Sequence, residues 1–189
     1  MGAETIPKSL EEIIKDMEKE ARTTSIGIAL LGSTGPGLET RRAMRRSILS
    51  INPATTVFIP DDDLPREVNY PEMGLNPVMA EIRILGSDKI DLIFVSPSSM
   101  GSVTEFGQLS QIPEVAPKLR LLVDHNYHPL FAKAPLSYVS SAELAFMVKY
   151  GHVYAVKGTN EIFPEAEYAV LIVTGMTRQL KYFETAKKI

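Results

Sequence analysis

The stretch IDLIFVSPSSMGSVTEFGQL, residues 90–109, joins an apolar run to a loop of small residues and then to a helical pattern. Its first part, residues 90–96, is largely apolar and is typical of a strand that is covered on both faces. The segment 102–111 follows with a helical pattern, in which Ser102 is the predicted N-cap and Glu105 the third helical residue. A strand that passes through a short loop into a helix predicts a parallel sheet with helical crossovers.

The rest of the chain repeats this alternation. Helical patterns separate the successive strand-like runs. The predicted strands cover residues 25–31, 55–60, 90–96, 118–124 and 151–158. The sequence therefore predicts an α/β fold: a three-layer α/β/α sandwich with a mainly parallel sheet of about five strands, of the Rossmann or flavodoxin-like type.

We expect residues 1–189 to form a single α/β domain, because this length is enough for one substantial core. The expected parts are an N-terminal helix, an α/β core and a C-terminal helix, over residues 1–22, 25–160 and 161–189. In the first part, Ser9 and Glu12 match a capping box. In the last part, YAVLIV, residues 168–173, also has the composition of a strand, so that alternative stays open.

The composition excludes several classes of function. The net charge of −3 provides no general basic field, so no nucleic-acid partner is expected. No apolar run approaches the roughly 20 residues that span a bilayer, so no membrane partner is expected. The chain has no cysteine, and its acidic, amphipathic N-terminal segment does not match a secretory signal. We therefore expect a cytoplasmic protein.

Small and polar residues are concentrated in the loops that follow the predicted strands. In open parallel sheets, ligands bind outside the carboxyl ends of the strands, where the strand order reverses. In the loop GSTGPG, residues 32–37, glycines allow a ligand to approach the backbone, and the start of the next helix attracts anions. Arg41 and Arg42 follow and are predicted phosphate partners. The alternative is an ordinary strand–helix turn with a solvated arginine face.

Glu105 is the predicted catalytic residue. A carboxylate between two loops rich in glycine and serine suits chemistry at a sugar C1, where an oxocarbenium-like centre needs an anionic nucleophile or stabiliser. The alternative is a capping box, Ser102-x-x-Glu105, in which the acid only accepts a hydrogen bond from a backbone N–H. The residues predicted to contact the substrate are Gly32, Ser33, Gly35, Gly37, Arg41, Arg42, Asp61, Ser98, Gly101 and Ser102.

The consecutive acids Asp61, Asp62 and Asp63 follow the second predicted strand. They could bind a divalent metal or ribose hydroxyls, but metal-binding loops use alternate carboxylates with further oxygens, and that pattern is absent. We therefore expect no metal and no organic cofactor, and a solvated acidic loop is the alternative. Further along, Arg66 and Tyr70 could fold over a base as part of a lid.

The strand, its small loop and GSVTEFGQL, residues 101–109, resemble the signature of the nucleoside 2-deoxyribosyltransferase-like and SLOG (LOG-related) superfamilies. The resemblance covers residues 25–125, including Asp91 at the start of the strand and the loop LLGSTGPG. The phosphoribohydrolases among these proteins have the pattern P-G-G-x-G-T-x-x-E. This chain has PSSMGSVTE, residues 97–105, with serine at both middle glycines.

The resemblance implies that Glu105 attacks or stabilises the ribosyl C1, and that Gly101 and Ser102 hold the sugar or phosphate. It implies a nucleoside or nucleotide as the small-molecule partner, and cleavage or transfer at the N-glycosidic bond as the activity. It also implies a homo-oligomer, for which the apolar C-terminal helix provides a surface. SLOG relatives include ligand-sensing domains, so a non-catalytic nucleotide-sensing module is the alternative.

Overall fold

The computed structural model of the chain describes residues 9–51, 53–64, 77–133, 135, 137–156 and 166–186. The helices are α1 (Leu10–Thr23), α2 (Pro36–Ile51), α3 (Pro60–Asp63), α4 (Pro77–Gly86), α5 (Met100–Leu109), α6 (Tyr138–Tyr150) and α7 (Ala166–Ala186). The strands are β1 (Gly27–Leu31), β2 (Thr56–Phe58), β3 (Leu92–Val95), β4 (Leu119–Asp124) and β5 (Val153–Val156).

The five strands form one sheet in which every pairing is parallel, in the order β2-β1-β3-β4-β5. In the register of the two central strands, Leu30 of β1 lies opposite Phe94 of β3. The chain passes from β1 to β2 and then returns across β1 to β3, so the strand order reverses between β1 and β3. The predicted three-layer α/β/α Rossmann-like fold is therefore confirmed, and the reversal determines where a ligand site is expected.

Apolar side chains cover both faces of the sheet. On one face, Leu85 of α4, Phe106 of α5 and Phe146 of α6 belong to a single buried cluster with the strands. On the other face, Ile48 of α2 and Val173 of α7 belong to a second cluster. A strand covered on both faces is apolar at successive positions, which explains the continuous apolar runs of β1 and β3.

The amino ends of β1 and β3 are joined by a contact that only glycine permits. The Asp91 carboxylate accepts a hydrogen bond from the Gly27 backbone N–H, 2.7 Å away, and the Asp91 N–H donates to the Gly27 carbonyl at 2.8 Å. A Cβ atom added at Gly27 would lie 1.6 Å from the Lys89 carbonyl oxygen. Asp91 therefore lies at the edge of the sheet opposite the carboxyl ends of the strands, and its observed contact is structural.

Two local expectations are corrected. The second strand ends at Phe58, and Pro60–Asp63 forms the single turn α3 where a loop was predicted. Proline suits the first turn because its fixed φ matches a helix, and acidic residues there interact favourably with the helix dipole. Residues 168–173 lie within the helix α7, as expected for the C-terminal part of the chain, so the alternative that they form a strand is wrong. At the other end of the chain, the capping box of Ser9 and Glu12 is confirmed.

The C-terminal helix α7 packs against α1 and α2. Sequence analysis predicted an apolar helix, but its buried residues include Thr177, Lys181 and Thr185 beside Val173. Within the described ranges, none of the helices combines the length and the apolar character that a membrane span needs.

Candidate functional site

A cleft of about 610 Å³ lies at the carboxyl ends of the central strands. It is formed by the β1–α2 loop, by α3, by α4 and by the first turns of α5. Its position agrees with the rule that ligands bind where the strand order of an open α/β sheet reverses. Its volume lies within the roughly 300–1,000 Å³ that is usual for small-molecule sites.

The β1–α2 loop forms one wall of the cleft and is held by Arg41. The Arg41 side chain is buried, and its guanidinium donates to the Ser33 carbonyl at 2.7 Å and to the Leu30 carbonyl at 3.4 Å. It also forms an ion pair with Asp61, 2.8 Å away. Gly35 turns the chain into α2 with a φ of +63°, a conformation that favours glycine. These contacts leave the Arg41 Nε atom without a hydrogen-bond partner among the described residues.

The acids of α3 pair with the arginines of α2. Arg42 donates to both carboxylate oxygens of Asp62, at 3.1 and 2.6 Å, and Arg45 pairs with Asp63. The pKa of Asp62 is lowered, chiefly by its hydrogen bond from Arg42. The three consecutive acids are therefore not simply a solvated loop, because each forms an ion pair with an arginine.

The start of α5 differs from the prediction. Its N-cap is Ser99, whose hydroxyl accepts a hydrogen bond from the Ser102 backbone N–H at 3.2 Å. The Ser102 hydroxyl in turn accepts from the Ser99 N–H at 2.9 Å, which completes a capping box of two serines. The predicted N-cap at Ser102 is therefore wrong. Glu105 lies in the second turn of the helix, so the capping box that ended at Glu105 is also wrong.

Glu105 instead meets a second carboxyl group across the cleft. Its side chain is half-buried and forms a hydrogen bond with the side chain of Glu81 on α4. Burial, followed by the charge of Glu81, raises the pKa of Glu105 from 4.5 to about 8. An ionised carboxylate only accepts hydrogen bonds, so two carboxyl groups can bond only when one carries a proton. With a pKa of about 8, Glu105 keeps its proton at neutral pH and can donate it to Glu81.

The cleft brings together seven of the predicted site residues, namely Gly32, Ser33, Arg41, Asp61, Gly101, Ser102 and Glu105. Gly37 and Ser98 line an adjoining cavity of about 30 Å³. The Ser98 hydroxyl is 3.5 Å from the Ser33 hydroxyl, so the two loops meet there. Gly35 and Arg42 do not line the cleft, and Arg42 bonds to Asp62 and Glu39 at the outer side of α3.

Sequence analysis missed Glu81. It lies in a helix whose neighbouring residues are mostly apolar, and an acid within such a pattern is the only signal that marks it. Arg66 and Tyr70, the predicted lid residues, lie outside the described residues. Among the residues that are described, no group of three or more histidine, aspartate or glutamate side chains could hold a metal ion.

Comparison with known proteins identifies no family. A scan against protein-family models gave no match, and a search of curated protein sequences gave none either.

Proposed function

We propose that the chain binds a nucleoside or nucleotide in this cleft and cleaves, or transfers at, its N-glycosidic bond. The observation that supports this most strongly is the hydrogen-bonded pair of Glu81 and Glu105. A pair that shares one proton offers a general acid and an anionic group at the same place. Cleavage of an N-glycosidic bond needs both, because the departing base must be protonated and the sugar C1 becomes positively charged.

The proposed reaction follows from these two requirements. The bond between C1 and the base nitrogen breaks, its electron pair goes to the base, and the proton of the carboxyl pair neutralises that nitrogen. The pair, in which both carboxyl groups are now ionised, stabilises the positive charge of the oxocarbenium-like C1. Water, or the hydroxyl or ring nitrogen of an acceptor, then attacks C1, and its proton returns to the pair. The carboxyl pair ends the cycle in its starting protonation state.

The walls of the cleft support binding of the sugar and phosphate. The hydroxyl of Ser33 and the glycine backbone at Gly32 and Gly101 line the space beside the carboxyl pair. Glycine lets a ligand approach the main chain closely, and the start of α5 favours negative charge. We therefore place the ribosyl group between the β1–α2 loop and the start of α5, with its C1 towards Glu105.

The test is an incubation of the purified protein with nucleosides, nucleoside monophosphates and NAD, followed by chromatography for the free base. We expect base release from at least one substrate. The rate of base release should fall by at least about 10²-fold in both Glu105→Gln and Glu81→Gln, which is the lower end of the usual contribution of a general acid or base. The matched control is Glu114→Gln, since Glu114 is exposed and does not line the cleft. Equal turnover by wild type and both cleft variants would contradict the proposed role of the pair.

A second candidate function is nucleotide sensing without turnover. The ion pair between Arg41 and Asp61 favours it, because a phosphate that replaced Asp61 at Arg41 would alter the contact between α2 and α3. A sensor would be stabilised by one nucleotide in a thermal-shift experiment and would release no base from it. Stabilisation with base release would instead identify the enzyme.

We also propose that the protein is a cytoplasmic homo-oligomer. Tyr138 on α6 and Phe183 on α7 are large apolar side chains exposed to solvent, and such side chains are common at contacts between subunits. Light scattering coupled to size-exclusion chromatography measures the mass directly, and a mass of one chain at all concentrations would contradict the proposal.

A further inference from the structure

A second pocket, of about 340 Å³, lies between α1, α2 and α7. Because α2 begins at the carboxyl ends of the strands, its last turn, which contains Ser50, lies at the opposite edge of the sheet. Ser50 lines this pocket, so the pocket is distinct from the cleft that contains Glu105. Its volume is within the usual range of small-molecule sites.

The wall of this pocket contains a buried lysine. The Lys181 side chain is only 2% exposed, and its Nζ atom has no hydrogen-bond partner among the described residues. Burial lowers the pKa of this lysine to about 8, so the ammonium form still predominates at neutral pH. A buried charge without a partner is costly, and proteins normally pair it.

The neighbouring polar residues of α7 are bonded, which sets Lys181 apart from them. The Thr177 hydroxyl donates to the Val173 carbonyl at 2.8 Å, and the Thr185 hydroxyl is 3.4 Å from that of Thr24 on α1. The hydroxyls of Thr177 and Thr185 therefore each have a hydrogen-bond partner within the packed helices. Lys181 differs from them, because its ammonium group has no hydrogen-bond partner among the described residues.

Two arginines line the same pocket. Arg22 projects from α1 and Arg178 from α7, and both are exposed to solvent. The Arg178 guanidinium is held over the ring of Tyr182, 5.9 Å from its centre, and lies 3.9 Å from the Glu18 carboxylate. With Lys181, three cations therefore face one concave space, and Glu18 is the one acid among the described residues that line it.

We propose that this pocket is a second binding site, for a small molecule with a phosphate or carboxylate group. The anionic group accepts hydrogen bonds from Lys181 and from the arginines, and so provides the partner that the buried ammonium lacks. The remainder of the ligand fills the space between α1 and α7. This site is independent of the proposed chemistry at Glu105, and it gives the contact between α1 and α7 a role in ligand binding.

The experiment is a titration of the full chain with inorganic phosphate and, separately, with acetate, followed by isothermal calorimetry. We expect saturable binding of at least one anion, weakened about tenfold or more by Lys181→Met, because a hydrogen bond to a charged group commonly has this effect. Arg178→Ala tests the same site. Arg178 is exposed, so we expect this variant to fold as the wild type does. Lys89→Met, at an exposed lysine outside this pocket, is the control.

The two anions distinguish the sources of the ligand. Binding of phosphate alone indicates a phosphorylated ligand, and binding of acetate alone indicates a carboxylate ligand. Phosphate that also enters the cleft at Glu105 would still bind to Lys181→Met, so only the component lost in that variant belongs to this pocket. The proposal is overturned if neither anion binds, or if Lys181→Met and Arg178→Ala bind both anions as tightly as the wild type.

Discussion

Replacing Glu105 with glutamine should stabilise the protein while it removes the proposed activity. Glutamine has nearly the same shape as glutamate, and its amide can donate to Glu81 in place of the shared proton. It carries no charge, so it avoids the cost of ionising a half-buried carboxyl beside another. The substitution therefore separates stability from function at a single position.

The size of the effect follows from the pKa. A rise in the pKa of Glu105 from 4.5 to about 8 corresponds to about 5 kcal/mol for a fully buried group, at about 1.4 kcal/mol for each pH unit. Because the side chain is half-buried and water screens part of the interaction, we expect about 1–2 kcal/mol. For a domain of this size, that difference raises the melting temperature by about 3–6 °C.

The direction of the pH dependence follows from proton binding. Between pH 4.5 and 8 the folded protein binds more protons at Glu105 than the unfolded chain does, so wild-type stability falls as the pH rises through this window. The advantage of Glu105→Gln should therefore be small at pH 5, grow until pH 8 and then remain constant. Thermal melts of both proteins at pH 5, 7 and 9 measure this difference.

The control for this experiment is Glu114→Gln, which changes an exposed carboxyl and should alter stability by less than about 0.5 kcal/mol at every pH. If Glu105→Gln is no more stable than the wild type at pH 9, ionisation of Glu105 does not destabilise the folded protein. Glu105 would then not hold a proton at neutral pH, whatever the activity of the variant.

Three further tests concern the framework of the protein, and two of them compare a variant with a matched control. Gly27→Ala should prevent folding or destabilise the protein by at least about 3 kcal/mol, since its Cβ would overlap a backbone carbonyl. Gly107→Ala, in open space on α5, should stabilise the protein by up to about 1 kcal/mol, and urea unfolding compares the two variants. Arg41→Ala should cost about 3–5 kcal/mol because it removes a buried guanidinium that pairs with Asp61 and bonds to the Leu30 and Ser33 carbonyls. Arg46→Ala, at an exposed position of the same helix, should cost less than about 0.5 kcal/mol, and equal losses would contradict the structural role of Arg41. Ser99→Ala should remove the N-cap of α5 at a cost of about 1 kcal/mol, and an unchanged unfolding midpoint would show that the cap contributes nothing.

The sheet could be predicted from the sequence because its strands are covered on both faces. Burial requires apolar residues at successive positions of β1 and β3, and such runs are visible without any structure. The position of the cleft followed from the same pattern, since the order of strands and helices limits the topologies that are possible. The fold and the edge of the sheet that holds the site were therefore accessible from the sequence.

The roles of individual side chains were not accessible in the same way. Ser99 and Ser102 are three residues apart, as are Ser102 and Glu105, so two capping boxes overlap in the sequence and only the geometry distinguishes them. Glu81 belongs to another helix and meets Glu105 only through the packing of α4 beside α5. Contacts between elements that are distant in the chain leave no local pattern, so the carboxyl pair could not be predicted.

The pairing of arginines of α2 with aspartates of α3, beside the cleft, has a kinetic consequence. Arg41, Arg42 and Arg45 are balanced by the three consecutive acids of α3, so this side of the cleft presents almost no net positive charge to an approaching anion. Long-range attraction would therefore contribute little to the encounter with a phosphorylated ligand. The association rate constant should stay within the ordinary range of about 10⁵–10⁷ M⁻¹s⁻¹ and change little with ionic strength, so capture of the ligand depends on short-range contacts inside the cleft.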